Sequence, residues 1–128
     1  MKYQTKKRFG QHFLHDPSVI HHLVQAIAPQ QHDLMVEIGP GLGALSKPLF
    51  DYLQHLHLVE IDRDVIAWWQ KQINLLENFT LHDCDALKFD FAQLIKKTTE
   101  DSLKQNRTLR VVGNLPYNIS TPFIFHLL

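Results

Sequence analysis

The sequence predicts an α/β fold, a parallel sheet with helices on both faces. Three observations carry that expectation. Short β-rich runs alternate with helical stripes, a glycine-rich turn follows the first run without a gap, and a residue suited to ligand contact (Gly39, Glu60, Asp85 or Asn114) follows each run. Such alternation requires crossover connections, and ligands in such sheets bind beyond the carboxyl ends of the strands.

Asp16-Pro17 marks the first helix start, because Asp accepts from free N–H groups and Pro suits the first helical position. Val19, Ile20, Leu23, Val24 and Ile27 form its apolar stripe, and Pro29 ends it. Residues 34–38 make the first strand. Residues 43–53 hold the next helix, with a bend or late start at Pro48. Residues 56–61 are the second strand, and Asp62 caps a helix through Val65, Trp68, Trp69, Ile73 and Leu76, the tryptophans serving as packing residues. Phe79 opens a third strand ending near Asp83-Cys84-Asp85. A short helical pattern covers 91–95, and 96–107 reads as loop or frayed helix end. Residues 109–112 are the fourth strand, and Ser120 or Thr121 with Pro122 opens a last helix. No polar C-cap or basic final turn follows that helix start, and four strands leave an unpaired edge. The chain therefore reads as the N-terminal part of a longer protein, one domain (1–128) cut off after about four strands.

Composition narrows the function. Hydrophobic residues are 45% of the 128, enough for a core, and no apolar run is long enough to span a bilayer. The single cysteine, Cys84, has no partner for a disulfide, which fits a reducing, cytoplasmic setting. Net charge is zero, so a nucleic-acid partner does not show in bulk charge. Lys2, Lys6, Lys7 and Arg8, all ahead of the first acid at Asp16, form a local basic arm that suits either phosphate contact or plain solvation. The nine histidines include no HExxH frame, and no metal site is expected.

Gly39, Gly41 and Gly43 allow a tight turn and close backbone approach to a ligand. The turn also matches GxGxxA, one form of the dinucleotide fingerprint. Glu37 separates the two cofactors. A carboxylate there repels a pyrophosphate but suits S-adenosyl-L-methionine, which carries a sulfonium and an ammonium against one carboxylate. Glu37 can act through the ammonium or by holding the loop. Glu60 lies 21 residues after Gly39 and can accept both ribose hydroxyls, while Asp62 is simpler as a cap. Asp85, with Asp83 as rival, can accept from the adenine amino group.

Asn114-Leu115-Pro116-Tyr117 is the most specific feature. An adenine N6 amine is a weak nucleophile because its lone pair is delocalised into the ring. Acceptors must hold its N–H groups and aim the lone pair, and the Asn114 amide oxygen and Leu115 carbonyl suit that task. Pro116 stiffens the loop and Tyr117 offers a face for the base. No early general base is required, so positioning supplies most of the rate.

Together with these motifs, Arg8-Phe-Gly-Gln-His-Phe-Leu14, Val59-Glu-Ile-Asp62, Asp85-Ala-Leu87 and Val112-Gly-Asn-Leu-Pro-Tyr-Asn-Ile-Ser-Thr-Pro122 resemble the rRNA adenine dimethyltransferases, above all the bacterial small-subunit type. The resemblance implies a Rossmann-like class I adenosylmethionine-dependent methyltransferase fold. It also implies dimethylation of two adjacent adenosines near the 3′ end of 16S rRNA by a monomeric enzyme of ribosome biogenesis. It places His12 and Leu14 against the cofactor with Gln11 nearby, adds Phe123 to the target-base contacts, and extends RNA contact to Lys6, Lys7 and Arg8. His12 departs from members with Asn there, a change that a backbone contact tolerates and a side-chain amide contact does not. Further strands and a small helical C-terminal domain belong to the family. Rival readings are the macrolide-resistance type of large-subunit rRNA methyltransferase, a DNA adenine methyltransferase, a non-catalytic ribosome-assembly factor and a nicotinamide oxidoreductase.

Overall fold

The computed structural model describes residues 16–73, 78–101, 109–114 and 122–127. Helix α1 (Pro17–Ile27) starts as expected: the Asp16 side chain accepts from Ser18 N–H at 2.9 Å. Its end is less ordinary. Ala28 adopts φ 48°, a left-handed conformation rare outside glycine, and its N–H reaches the Val24 carbonyl. Arg110 fixes that end by donating to the carbonyls of Ile27 and Ala28 and pairing with Asp33 at 2.9 Å.

Strand β1 (Leu34–Ile38) runs into the glycine turn. Helix α2 (Ser46–Phe50) is shorter than the expected 43–53, because the turn takes up the residues before Ser46 and Pro48 leaves room for little more than one turn. Strand β2 (Leu56–Glu60) leads to α3 (Arg63–Gln72), whose cap is Asp62, accepting from Asp64 and Val65 N–H. Strand β3 (Phe79–Asp83) is followed by one 3-10 turn, Ala86–Lys88. Helix α4 (Phe91–Asp101) continues well past Ile95, which decides between the two readings of this stretch in favour of helix as far as Asp101. Its lysines keep a solvated face, which periodicity alone reads as coil, and the Thr98 hydroxyl bonds back to the Leu94 carbonyl at 2.8 Å. Strand β4 (Leu109–Asn114) and strand β5 (Pro122–Leu127) complete the sheet.

Among the described residues the sheet has five strands in the order β3-β2-β1-β4-β5, the first four mutually parallel. The four parallel strands are as expected, while the helix expected at Pro122 is corrected to a fifth strand. Residues 122–127 run antiparallel to β4, Phe123 opposite Gly113 and Pro122 opposite Asn114. A six-residue apolar, aromatic-rich run has no decisive period, and the open edge of β4 selects the strand.

Helices cover both faces. On one, Val24, Ile27, Leu45, Leu49, Val65 and Trp69 pack on Met35, Leu56, Leu58 and Val112. On the other, Leu94 of α4 packs on Leu34, Val36, Val59 and Val111. Each such aliphatic side chain contributes roughly 1.5–3 kcal/mol by burial. No described helix is long and apolar enough to cross a membrane.

Candidate active site

The order places β1 between β2 and β4, so successive connections leave β1 in opposite directions and open a crevice at its carboxyl end. The register brings the site residues level. Ile38 pairs with both Val59 and Gly113, and Glu60 pairs with Asp83. Gly39, Glu60, Asp83 and Asn114 therefore end their strands side by side, with Asp85 two residues further.

Glu37 sits beneath this rim with 2% of its surface exposed. The Ser46 hydroxyl donates to Glu37 Oε1 at 2.5 Å. Burial pushes the Glu37 carboxyl up to about 7; the Ser46 bond pulls it back in part, and the nearby Glu60 adds to the rise. An acid poised there gains a strong reason to ionise when a cation arrives. Of the two roles left open for Glu37, the Ser46 bond ties it to the residues just after the loop, without removing the other.

The three loop glycines all have positive φ: 66° at Gly39, 55° at Gly41 and 89° at Gly43. The latter two differ in kind. Among the described residues a Cβ on Gly41 meets nothing within 4 Å, which leaves the backbone open to a ligand there, whereas a Cβ on Gly43 comes within 3.2 Å of the Trp69 ring. Trp69 also donates its indole N–H to the Gly41 carbonyl at 2.7 Å.

Glu60 is buried, and its Oε2 accepts from Ile61 and Asp62 N–H, both at 3.0 Å. Part of its accepting capacity thus holds its own turn, and Oε1 remains for a ligand hydroxyl. Asp85 caps the 3-10 turn through Leu87 N–H at 2.9 Å and is half-buried, whereas its rival Asp83 is exposed. Flanking these acids, Ile61 is 61% and Leu87 90% exposed, apolar side chains suited to the faces of a planar base. Both lie in motifs read from the sequence, but neither is assigned a contact to the base there, because residue type alone does not show that an apolar side chain is exposed. Sequence reasoning passed over Ser46 and the loop contacts of Trp69, for which no local signal exists. Among the described residues no cluster is able to hold a metal ion.

A family model described as ribosomal RNA adenine dimethylase matches residues 2–128. The chain belongs to this family. Ribosomal RNA small subunit methyltransferase A of Methylobacillus flagellatus is 55% identical over 128 residues, 100% of this chain and 46% of that protein. Its namesake in Nitrosococcus oceani is 54% identical over 126 residues, 98% of this chain and 45% of that one. The chain thus spans just under half the length of these relatives. Among solved structures, a dimethyladenosine transferase from Plasmodium falciparum matches with TM-score 0.56 at 16% identity, over 77% of this chain and 42% of that one. The 23S rRNA methyltransferase ErmE matches with TM-score 0.54 at 22% identity, over 80% and 48%. These likenesses establish the class I methyltransferase fold. Of the family motifs, Lys6, Lys7, Arg8, Gln11, His12, Leu14, Leu115, Pro116 and Tyr117 lie outside the described residues. Asn114 and Phe123 are placed by their backbones, at the end of β4 and the start of β5.

Proposed function

We propose that the protein transfers methyl groups from S-adenosyl-L-methionine to N6 of two adjacent adenosines near the 3′ end of 16S rRNA, acting on the small ribosomal subunit in the cytoplasm as part of ribosome biogenesis. Residues 1–128 are, on this reading, the N-terminal part of the cofactor-binding domain. The observation that carries the proposal is the level rim: a glycine turn over a buried acid, a ribose-type acid on the next strand, and Asn114 ending the strand on the other side.

The residues fit the cofactor. The backbone is open at Gly41, Glu37 supplies a carboxylate for the ammonium side, Glu60 Oε1 faces no competing backbone donor, and Asp85 keeps one oxygen for an amino group. When bound, the cofactor supplies an electrophilic methyl group on a sulfonium. The chain does the rest by placement. The Asn114 amide oxygen and the Leu115 carbonyl accept the N6 hydrogens, which points the amine lone pair outward. Tyr117 stacks on the adenine, Phe123 adds an apolar contact, and Pro116 limits the loop's freedom. On the same reading Lys6, Lys7 and Arg8 serve phosphate contact, and His12 and Leu14, with Gln11 nearby, serve cofactor contact.

The test is to incubate the protein with labelled adenosylmethionine and immature small ribosomal subunits and to map the methylated bases. Label at N6 of paired adenosines near the 3′ end of 16S rRNA is expected. Label on large-subunit RNA alone overturns the proposal.

A further inference from the structure

We infer that Trp69 is a positioning residue for cofactor binding: its indole N–H sets the Gly41–Leu42 peptide so that the Leu42 N–H faces the crevice as a donor to the cofactor's carboxylate. The inference deepens the proposed function and rests on its cofactor reading.

The geometry begins with a polar contact in an apolar place. Trp69 is fully buried, yet its N–H is satisfied by a loop carbonyl 28 residues earlier, Gly41 O at 2.7 Å. The indole has little freedom to turn, with Trp68, Phe79 and Phe50 rings packed edge-on to it at 5.0, 5.1 and 6.2 Å. A planar trans peptide carries its C=O and N–H on opposite sides, and the described residues contain no cis bond. A Gly41 carbonyl turned down onto a buried ring therefore turns the next N–H, that of Leu42, away from the core. Among the described residues no atom stands within 4 Å of a Cβ position on Gly41, and Leu42 is exposed. The Leu42 N–H has no backbone acceptor among the described residues. The same ring limits the turn at its far end, since its outer edge lies 3.2 Å from a Cβ position on Gly43.

Ligand chemistry follows from this placement. A backbone donor presented at a left-handed glycine turn suits an anion, and adenosylmethionine has one, its α-carboxylate. The adjacent Glu37 suits the ammonium on the same carbon. One indole thus fixes the donor half of an amino-acid clamp without touching the ligand.

The test removes the hydrogen bond while keeping the shape. In a Trp68→Phe background, 3-benzothienylalanine at position 69 replaces the N–H by sulfur, and Trp69→Phe gives a second variant. Adenosylmethionine affinity is read by calorimetry, and KM and kcat by methyl transfer to immature small subunits. We expect affinity to fall roughly tenfold with the sulfur analogue, KM for adenosylmethionine to rise in step, and kcat at saturation to stay, the lost bond being made before and during reaction alike. Trp69 emission in the Trp68→Phe protein should also shift when adenosylmethionine binds. Unchanged affinity in the analogue, or unchanged emission on binding, overturns the inference even if thermal stability drops, because a purely structural tryptophan gives that pattern. Failure of the unaltered protein to bind adenosylmethionine overturns the cofactor reading itself, and the inference with it.

Discussion

Replacing Glu37 by glutamine isolates the consequence of its buried acid. In the fold its carboxyl ionises near 7, against 4.5 when unfolded. Because the folded value is the higher one, the folded state holds the proton more tightly. Below 4.5 both states are protonated and the fold bears no charge penalty. As pH rises from 4.5 through 7, the unfolded chain ionises freely while the fold resists, so stability is lost across that window. At about 1.36 kcal/mol per tenfold change in proton affinity, the rise from 4.5 to about 7 comes to a little over ~3 kcal/mol well above pH 7. Glutamine has the same shape, keeps an oxygen for the Ser46 hydroxyl, and never ionises. Urea titrations at pH 5, 7 and 8.5 should therefore show Glu37→Gln close to the parent at pH 5 and more stable by about 3 kcal/mol at pH 8.5. A stability difference that stays flat from pH 5 to 8.5 would refute the reasoning. Under the cofactor reading, saturating adenosylmethionine should shrink the gap, since a bound cation favours the parent's carboxylate.

Four further outcomes are expected. His57 is pushed down to about 4 by burial and by His55, His82 and Lys97, so it opposes Glu37: stability should fall as pH drops from 6.5 toward 4, and His57→Gln should flatten that fall in urea titrations. Arg110→Met breaks the pair with Asp33 and frees the Ile27 and Ala28 carbonyls, which should cost about 3 kcal/mol in chemical denaturation, whereas a loss under 1 kcal/mol contradicts the clamp. Gly43→Ala meets both a φ of 89° and the Trp69 ring, and should destabilise by about 2 kcal/mol in thermal melts, more than Gly41→Ala, where only the φ of 55° opposes it. Asn114→Ala should lower turnover by a factor corresponding to about 3 kcal/mol with little change in adenosylmethionine affinity; near-normal turnover places the amine's acceptors elsewhere.

Legibility followed the range of the interaction. The caps at Asp16 and Asp62 act within three residues, and both are readable from residue type and spacing. The four parallel strands and the glycine turn are likewise short-range patterns, and the acids at their ends follow from strand length. Residues 122–127 escaped because an apolar hexamer fits a helix or a strand, and the vacant edge of β4 decides between them. Ser46 on Glu37, Trp69 on Gly41 and Arg110 on Ala28 span 9, 28 and 82 residues, distances over which spacing carries no information. Glu60 shows the intermediate case: its position is readable, but its commitment of one oxygen to the turn is not.

The place of β4 beside β1 has a consequence during synthesis. The chain can pair β1 with β2, and β2 with β3, early, but the other side of β1 waits for a partner that begins at Leu109. At ribosomal rates of about 5–20 residues per second, the ~70 residues between them take several seconds to appear. Throughout that interval the nascent sheet shows an apolar, unpaired margin, a target for chaperones. Closing the gap also carries the loop entropy of a long-range contact. Asn114 arrives in the strand that closes it, so the last structural step of the sheet's centre is also the step that assembles the crevice.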